Sequence, residues 1–252
     1  MEIKAFPGYP KSDPRFYFSK NKIPGSPLIV FVHFYGGHQK VLKRHIQLVN
    51  ELGFDAFAYN MPDFAGPKLT LSLYYRKRFG LKHLYAHMLA FFLDQIPGPK
   101  IIFGFSNPSA AAIEVIYDRI KENKKDVVGL ICDSGPSGAF LRSAWNLAIR
   151  VRGQYSLLGF FSFFWSLRQH HEVDNQLKKF PKNFPLLSLR GGSDPIIPPW
   201  HIDLLLKKVE GYLRIKTVIF PEAGHLDALK KFPELYHQAV EEWLRELTPS
   251  RQ

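Results

Sequence analysis

The run Lys100-Ile101-Ile102-Phe103-Gly104-Phe105-Ser106-Asn107-Pro108-Ser109-Ala110-Ala111-Ala112 changes character at its middle. Lys100–Phe105 is short, apolar and rich in β-branched and aromatic residues, the pattern of a strand buried on both faces. An Ala-rich helical segment follows, and Ser106-Asn107-Pro108 must turn the chain between the two. Pro108 suits a first helical turn, where a missing N–H would have had no partner.

The same strand–turn–helix unit recurs along the chain. Further strands are expected at Leu28–His33, Phe54–Tyr59, Val127–Cys132, Leu186–Leu189 and Leu213–Phe220. The last alternates with Arg214 and Lys216, as an edge strand does. Leu81, Leu84, Tyr85, Met88, Leu89, Phe92 and Ile96 recur at helical spacing. So do Phe232, Leu235, Tyr236, Ala239, Val240, Trp243 and Leu244, with Pro233 in the first turn. Alternating strands and helices predict right-handed crossovers and an open α/β class fold with a mostly parallel central sheet flanked by helices. The interval from Cys132 to Leu186 is far longer than a crossover requires. It predicts one domain over residues 1–252 with a helical lid inserted at about 135–184, above the strand ends where such sheets bind ligands.

The 252 residues are 46% hydrophobic and 22% charged, which excludes a disordered chain. Cys132 is the single cysteine, so no internal disulfide can form, and its apolar surroundings predict a buried, inert thiol. Met1–Pro14 has neither the apolar core of a secretory signal nor an Arg-rich presequence. The longest uncharged apolar stretch, Gly153–Leu167, falls short of the roughly 20 residues of a membrane span. The expectation is a soluble cytoplasmic protein, at most peripheral to a membrane. The net charge of +12 could attract anionic partners, but the basic residues are scattered, so nucleic acid is an unfavoured partner.

Gly104-Phe105-Ser106-Asn107-Pro108 resembles the nucleophile elbow G-x-S-x-G of the α/β-hydrolase superfamily, with Pro108 in place of the last glycine. By itself the pentapeptide reads equally as an ordinary strand-to-helix turn. Three further segments shift the balance. Arg190-Gly191-Gly192-Ser193-Asp194-Pro195 follows a strand and resembles the turn carrying the superfamily's acid. Pro221-Glu222-Ala223-Gly224-His225-Leu226 precedes the last long helix and resembles the loop carrying its histidine. His33-Phe34-Tyr35-Gly36-Gly37 resembles the oxyanion loop, with Phe34 where glycine is usual. The order Ser, Asp, His is the order this fold uses. The resemblance covers about Leu28 to Leu247. Phe105-Ser106-Asn107, Cys132-Asp133-Ser134-Gly135-Pro136 and Gly224-His225-Leu226 also resemble the PaxU-like branch, which implies a fold and a triad but no substrate.

What the resemblance implies is a serine hydrolase acting on a carboxylic ester through an acyl-enzyme, without cofactor or metal. Ser106 would be the nucleophile, His225 the general base and Asp194 its orienting acid. The N–H of Asn107, with that of Tyr35 or Phe34, would stabilise the oxyanion by roughly 3 kcal/mol each. The same triad serves thioesters and amides. Phe160, Phe164 and Trp165 in the inserted region suggest an apolar or lipid-like ester substrate and contact with an anionic membrane surface, though such rings equally pack a lid. The alternative is a catalytically inactive hydrolase-fold module that binds lipid or protein, which Pro108 and Phe34 keep open. Asp133 ranks second to Asp194 as the acid, with a capping role at the lid entry preferred. His83 and His87 stand one helical turn apart without a neighbouring acid, which argues against a metal site. His170-His171 reads as lid surface.

Overall fold

The computed structural model describes residues 3–62, 80–150 and 167–248. Its sheet has seven strands: β1 (Arg15–Tyr17), β2 (Leu28–Val32), β3 (Ala56–Ala58), β4 (Lys100–Phe105), β5 (Val127–Asp133), β6 (Pro185–Gly191) and β7 (Arg214–Phe220), in the order β1-β3-β2-β4-β5-β6-β7. All pair in parallel except β1, which runs antiparallel to β3. The chain thus winds outward in both directions from the middle, and β2, β4, β5 and β6 bring their carboxyl ends to one edge.

Eight helices are described: α1 (Lys43–Glu51), α2 (Leu81–Gln95), α3 (Ser109–Lys121), α4 (Phe140–Arg150), α5 (Leu167–Leu177), α6 (Pro199–Leu206), α7 (Ala228–Lys231) and α8 (Pro233–Leu247). They cover the sheet on both faces. One apolar cluster unites Val30, Val32, Ile102 and Leu130 with α2 and α3, and the other unites Ile29, Phe31, Ile101 and Phe103 with α1 and α8. Side chains alternate across a strand, so each central strand feeds both clusters and must be apolar throughout. Ala110, Ala111 and Ala112 are fully buried, and their small size lets α3 lie close against the sheet. A Cβ on Gly104 would stand 2.9 Å from Ser109 Oγ, which explains glycine at that point of β4.

Most expected strands fall within a residue or two of the observed ones, and β7 is indeed an edge. Four elements went unread, among them the one-turn α7. β1 spans three residues, one exposed and two half-buried, too short to show a pattern. α1 has no side-chain cap and follows a short 3-10 turn. α6 begins at the second residue of Pro198-Pro199, which punctuated the sequence as a turn; Pro199 occupies its first turn instead.

Two clusters of buried charge lie away from the carboxyl ends of the strands. At the foot of the sheet, Asp126 receives Lys100 Nζ at 2.8 Å and Arg119 Nε at 2.8 Å. Burial alone would raise the Asp126 pKa, but the hydrogen bonds from Arg119 and Lys100 hold it down to about 2. Between α2 and α3, Glu114 accepts His83 Nδ1 at 2.7 Å and lies 3.2 Å from Lys82 Nζ, all three side chains being buried. This corrects the sequence reading of His83: an acid does stand beside it, supplied by another helix, which spacing along one helix cannot reveal. Among the described residues no group of three or more His, Cys, Asp or Glu could hold a metal ion, and no helix is long and apolar enough to cross a membrane.

Candidate active site

Ser106 follows β4 directly and adopts φ +57°, a left-handed conformation that costs a non-glycine residue about 1–3 kcal/mol. Two backbone bonds hold it there: its N–H donates to Asp133 O at 2.7 Å, and its carbonyl accepts Ser109 N–H at 3.1 Å. Pro108 takes right-handed helical angles before α3 and its carbonyl accepts Ala111 N–H at 2.9 Å. Proline therefore enters the turn without distorting it.

The three residues singled out by sequence meet here. His225 Nε2 stands 3.0 Å from Ser106 Oγ, and His225 Nδ1 stands 2.7 Å from Asp194 Oδ2. A carboxylate can only accept, so Nδ1 carries the imidazole proton and Nε2 presents a lone pair to the Ser106 hydroxyl. The other oxygen of Asp194 accepts Ile196 N–H at 2.8 Å and Ile197 N–H at 2.9 Å, so the carboxylate is fixed in orientation. The acid turn and the histidine loop are also stitched together: Gly192 N–H donates to Phe220 O at 2.8 Å and Ser193 N–H to Ala223 O at 2.9 Å. A Cβ on Gly191 would overlap the Gly224 carbonyl, so that approach requires glycine.

The loop after β2 is braced by His33. Its Nδ1–H donates to Phe34 O at 2.8 Å and its Nε2 accepts Met61 N–H at 2.9 Å. Phe34 O also accepts Gly37 N–H at 2.9 Å. Among the described residues the backbone N–H groups of Asn107 and Phe34 donate to nothing. Phe34 and Tyr35 line a cavity of about 270 Å³ that contains Ser106 and His225, with Ala144 and Leu147 of α4 and Ile196 and Leu226 completing its apolar wall. Burial, reinforced by the charge of Glu114, raises the pKa of the Tyr35 phenol, which excludes it as a base. A larger groove of about 760 Å³ lies between Phe18 and α1. It shares no residue with the Ser106 cavity and holds no acid–base pair. Phe160, Phe164 and Trp165 lie outside the described residues, as does the side-chain environment of His170 and His171.

Asp133 does not reach His225. Its carboxylate accepts Ser134 Oγ–H at 2.8 Å and Tyr236 O–H at 2.7 Å, on the far side of the sheet edge from α4; the expected capping of the inserted region is not what it does. Cys132 is buried, and burial pushes its thiol up to about 12.

Sequence reasoning missed a second serine–histidine group. Ser143 Oγ stands 2.9 Å from His201 Nδ1 and 2.6 Å from Ser137 Oγ, and Ser137 Oγ stands 3.3 Å from His201 Nδ1. All three residues are buried, and His201 Nε2 has no hydrogen-bond partner. Among the described residues no carboxylate hydrogen-bonds this imidazole. Its connection to Ser106 runs through Ser137 N–H, which donates to the Asn107 side-chain carbonyl at 3.1 Å. The only signal was the polar character of Ser137, Ser143 and His201 in otherwise apolar helical surroundings.

Burial lowers the His201 pKa, the Arg142 charge lowers it further, and Asp194 opposes both. The unfolded chain therefore takes up this proton first, near pH ~6.5. The contribution is intact above that pH and is lost as pH falls through it toward the lower folded value. The expected result is a melting temperature that declines from about pH 7 to about pH 5, with a shallower decline in His201→Gln.

No protein-family model matches the sequence, and no curated protein matches it significantly; the likeness to the PaxU-like branch rests on its three short segments alone. Solved structures do match. The monoacylglycerol lipase of Paleococcus ferrophilus superposes with a TM-score of 0.66 at 16% identity, covering 94% of this chain and 99% of that one. A thermostable carboxyl esterase from Bacillus coagulans superposes at 0.65 and 16% identity, covering 92% and 93%. Mouse alpha/beta hydrolase domain-containing protein 10 superposes at 0.60 and 15% identity, covering 93% and 94%. With a mostly parallel seven-stranded sheet and near-complete coverage of these structures at TM-scores of 0.60 to 0.66, this chain has the α/β-hydrolase fold.

Proposed function

We propose that the protein is a serine hydrolase that cleaves a carboxylic ester with an apolar acyl group, through an acyl-enzyme. The observation that carries the reading is the hydrogen-bonded series Ser106 Oγ, His225 Nε2, His225 Nδ1, Asp194 Oδ2, with spacings of 3.0 and 2.7 Å, at the carboxyl edge of the sheet. Ser106 Oγ attacks the acyl carbon while His225 Nε2 takes its proton. The resulting oxyanion accepts hydrogen bonds from the unspent N–H groups of Asn107 and Phe34, near the positive N-terminal end of α3. Asp194 stabilises the imidazolium, which then gives its proton to the departing alkoxide. Water repeats the sequence on the acyl-enzyme, with His225 as base, and releases the acid.

The apolar wall formed by Ala144, Leu147, Ile196 and Leu226 supports an apolar acyl group. Likeness to an esterase and a monoacylglycerol lipase favours an oxygen ester over a thioester or amide. α4 contributes Ala144 and Leu147 to the cavity, whereas Val173 and Leu177 of α5 are buried and Gln176 accepts Lys82 Nζ at 3.3 Å. In this reading the lid role of the inserted region belongs to the α4 side, and α5 anchors it by packing on α3, with one hydrogen bond to α2.

The test is treatment with a fluorophosphonate, followed by peptide mapping, alongside para-nitrophenyl esters of increasing chain length. A stoichiometric adduct on Ser106 with ester turnover is expected. A folded protein that is neither labelled nor active would instead be an inactive binding module.

A further inference from the structure

The segment Asp133-Ser134-Gly135-Pro136-Ser137 touches the elbow of Ser106, the side chain of Asn107 and the loop of His225 without lining the cavity. At one end, the Asp133 carboxylate accepts the Ser134 hydroxyl at 2.8 Å and the Tyr236 hydroxyl at 2.7 Å. Because the Ser134 proton is committed to Asp133, the Ser134 oxygen has its lone pairs free to accept. It receives Leu226 N–H at 3.2 Å, the amide directly after His225. Leu226 stands at φ +60° and Ser134 at φ +55°, conformations that bulky or polar residues hold only when their surroundings impose them. Ser134 N–H is tied to Leu189 O of β6 at 2.8 Å, so the Leu226 acceptor is itself fixed to the sheet.

In the middle, a Cβ on Gly135 would overlap the Ser106 carbonyl, which places the segment in direct contact with the elbow backbone. At the other end, Ser137 N–H donates to Asn107 Oδ1 at 3.1 Å. That bond fixes the side chain of the residue whose backbone N–H is free for an oxyanion. Ser137 is held in turn by Ser143 at 2.6 Å and by His201.

We propose that Asp133–Ser137 is a positioning strap. Ser134, oriented by Asp133 and Tyr236, sets the loop of the general base His225, and Ser137, anchored by Ser143 and His201, sets the oxyanion donor Asn107. The proposal rests on the serine-hydrolase reading and deepens it: none of these residues touches substrate, and each acts through a group that does. The physical scale follows from how steeply proton transfer depends on placement, since a misplacement of about 1 Å can cost about a hundredfold in rate. The strap therefore governs turnover and leaves binding of the apolar acyl group untouched.

The experiment compares wild type, Ser134→Ala, Tyr236→Phe and Ser137→Ala for kcat and KM on a para-nitrophenyl ester, for the rate of fluorophosphonate labelling at Ser106, and for melting temperature. Ser134→Ala is expected to lower kcat by roughly ten- to a hundredfold, to slow labelling in parallel and to leave KM within about twofold. Tyr236→Phe keeps the ring that packs in the core and removes only one donor to Asp133, so it should show the same split with a smaller loss of kcat. It carries the test if Ser134→Ala does not fold. Ser137→Ala should lower kcat with KM unchanged. A wild type that is labelled and active, with variants whose melting temperature falls while kcat and labelling rate hold, would overturn the strap alone. An unlabelled, inactive wild type would overturn both the strap and the hydrolase reading.

Discussion

Ser106→Ala is expected to fold as the wild type does, to take up no fluorophosphonate and to hydrolyse esters about a millionfold more slowly, the scale on which the nucleophilic serine acts in a serine protease. The size follows from the arrangement. Without Oγ there is no acyl-enzyme, and His225 Nε2, which stands 3.0 Å from that oxygen, has no proton to take. What survives is orientation and oxyanion stabilisation of a direct attack by water. The backbone should be unaffected, because Ser106 is held in its turn by main-chain bonds to Asp133 and Ser109, not by its hydroxyl. Equal melting temperatures with a collapse of kcat would be the result; activity within tenfold of wild type would remove Ser106 from the mechanism.

The second large effect is expected from Asp194→Asn, a loss of about ten-thousandfold in kcat at neutral pH. Asp194 Oδ1 accepts two backbone N–H groups, from Ile196 and Ile197. An asparagine would place its carbonyl there and turn its NH2 toward His225 Nδ1. His225 must then accept at Nδ1 and carry its proton on Nε2, the tautomer that cannot deprotonate Ser106. Asp133→Asn is the informative contrast. Its carboxylate meets Ser134 and Tyr236 rather than the imidazole, so it should cost far less and leave the His225 tautomer unchanged. If the two losses were reversed, the acid would sit at the end of β5 and not in the turn after β6. Steady-state kinetics of both variants against one ester decides the matter.

Much of this was legible in the sequence because parallel sheets force local patterns. A strand covered on both faces has to be apolar along its length, and a helix that follows it has to be amphipathic, so β2, β4, β5 and β6 and the helices α2 and α8 announce themselves. That Ser106, Asp194 and His225 would meet was legible for a related reason. Residues at the carboxyl ends of neighbouring strands converge wherever the sheet is parallel, so three candidate residues at three such ends imply proximity. What could not be read is contact made across elements. His83 finds Glu114 on another helix, Ser134 finds the amide after His225, and Ser137 finds Asn107; each pairing depends on how helices and loops settle onto the sheet. The segment Cys132-Asp133-Ser134-Gly135-Pro136 stood out as a motif, yet nothing within it indicates that its polar groups hold other loops in place. β1 was invisible because three residues carry no period, and its pairing with β3 is a tertiary event.

Three residues around the candidate site, Ser106, Ser134 and Leu226, share left-handed backbone at φ +57°, +55° and +60°. At about 1–3 kcal/mol each, they tie up an amount of free energy comparable to much of a domain's net stability. Glycine would relieve that tension at every one of them, and at every one of them it would delete a side chain. Selection for turnover would accordingly hold side chains at positions where the backbone angles alone favour glycine.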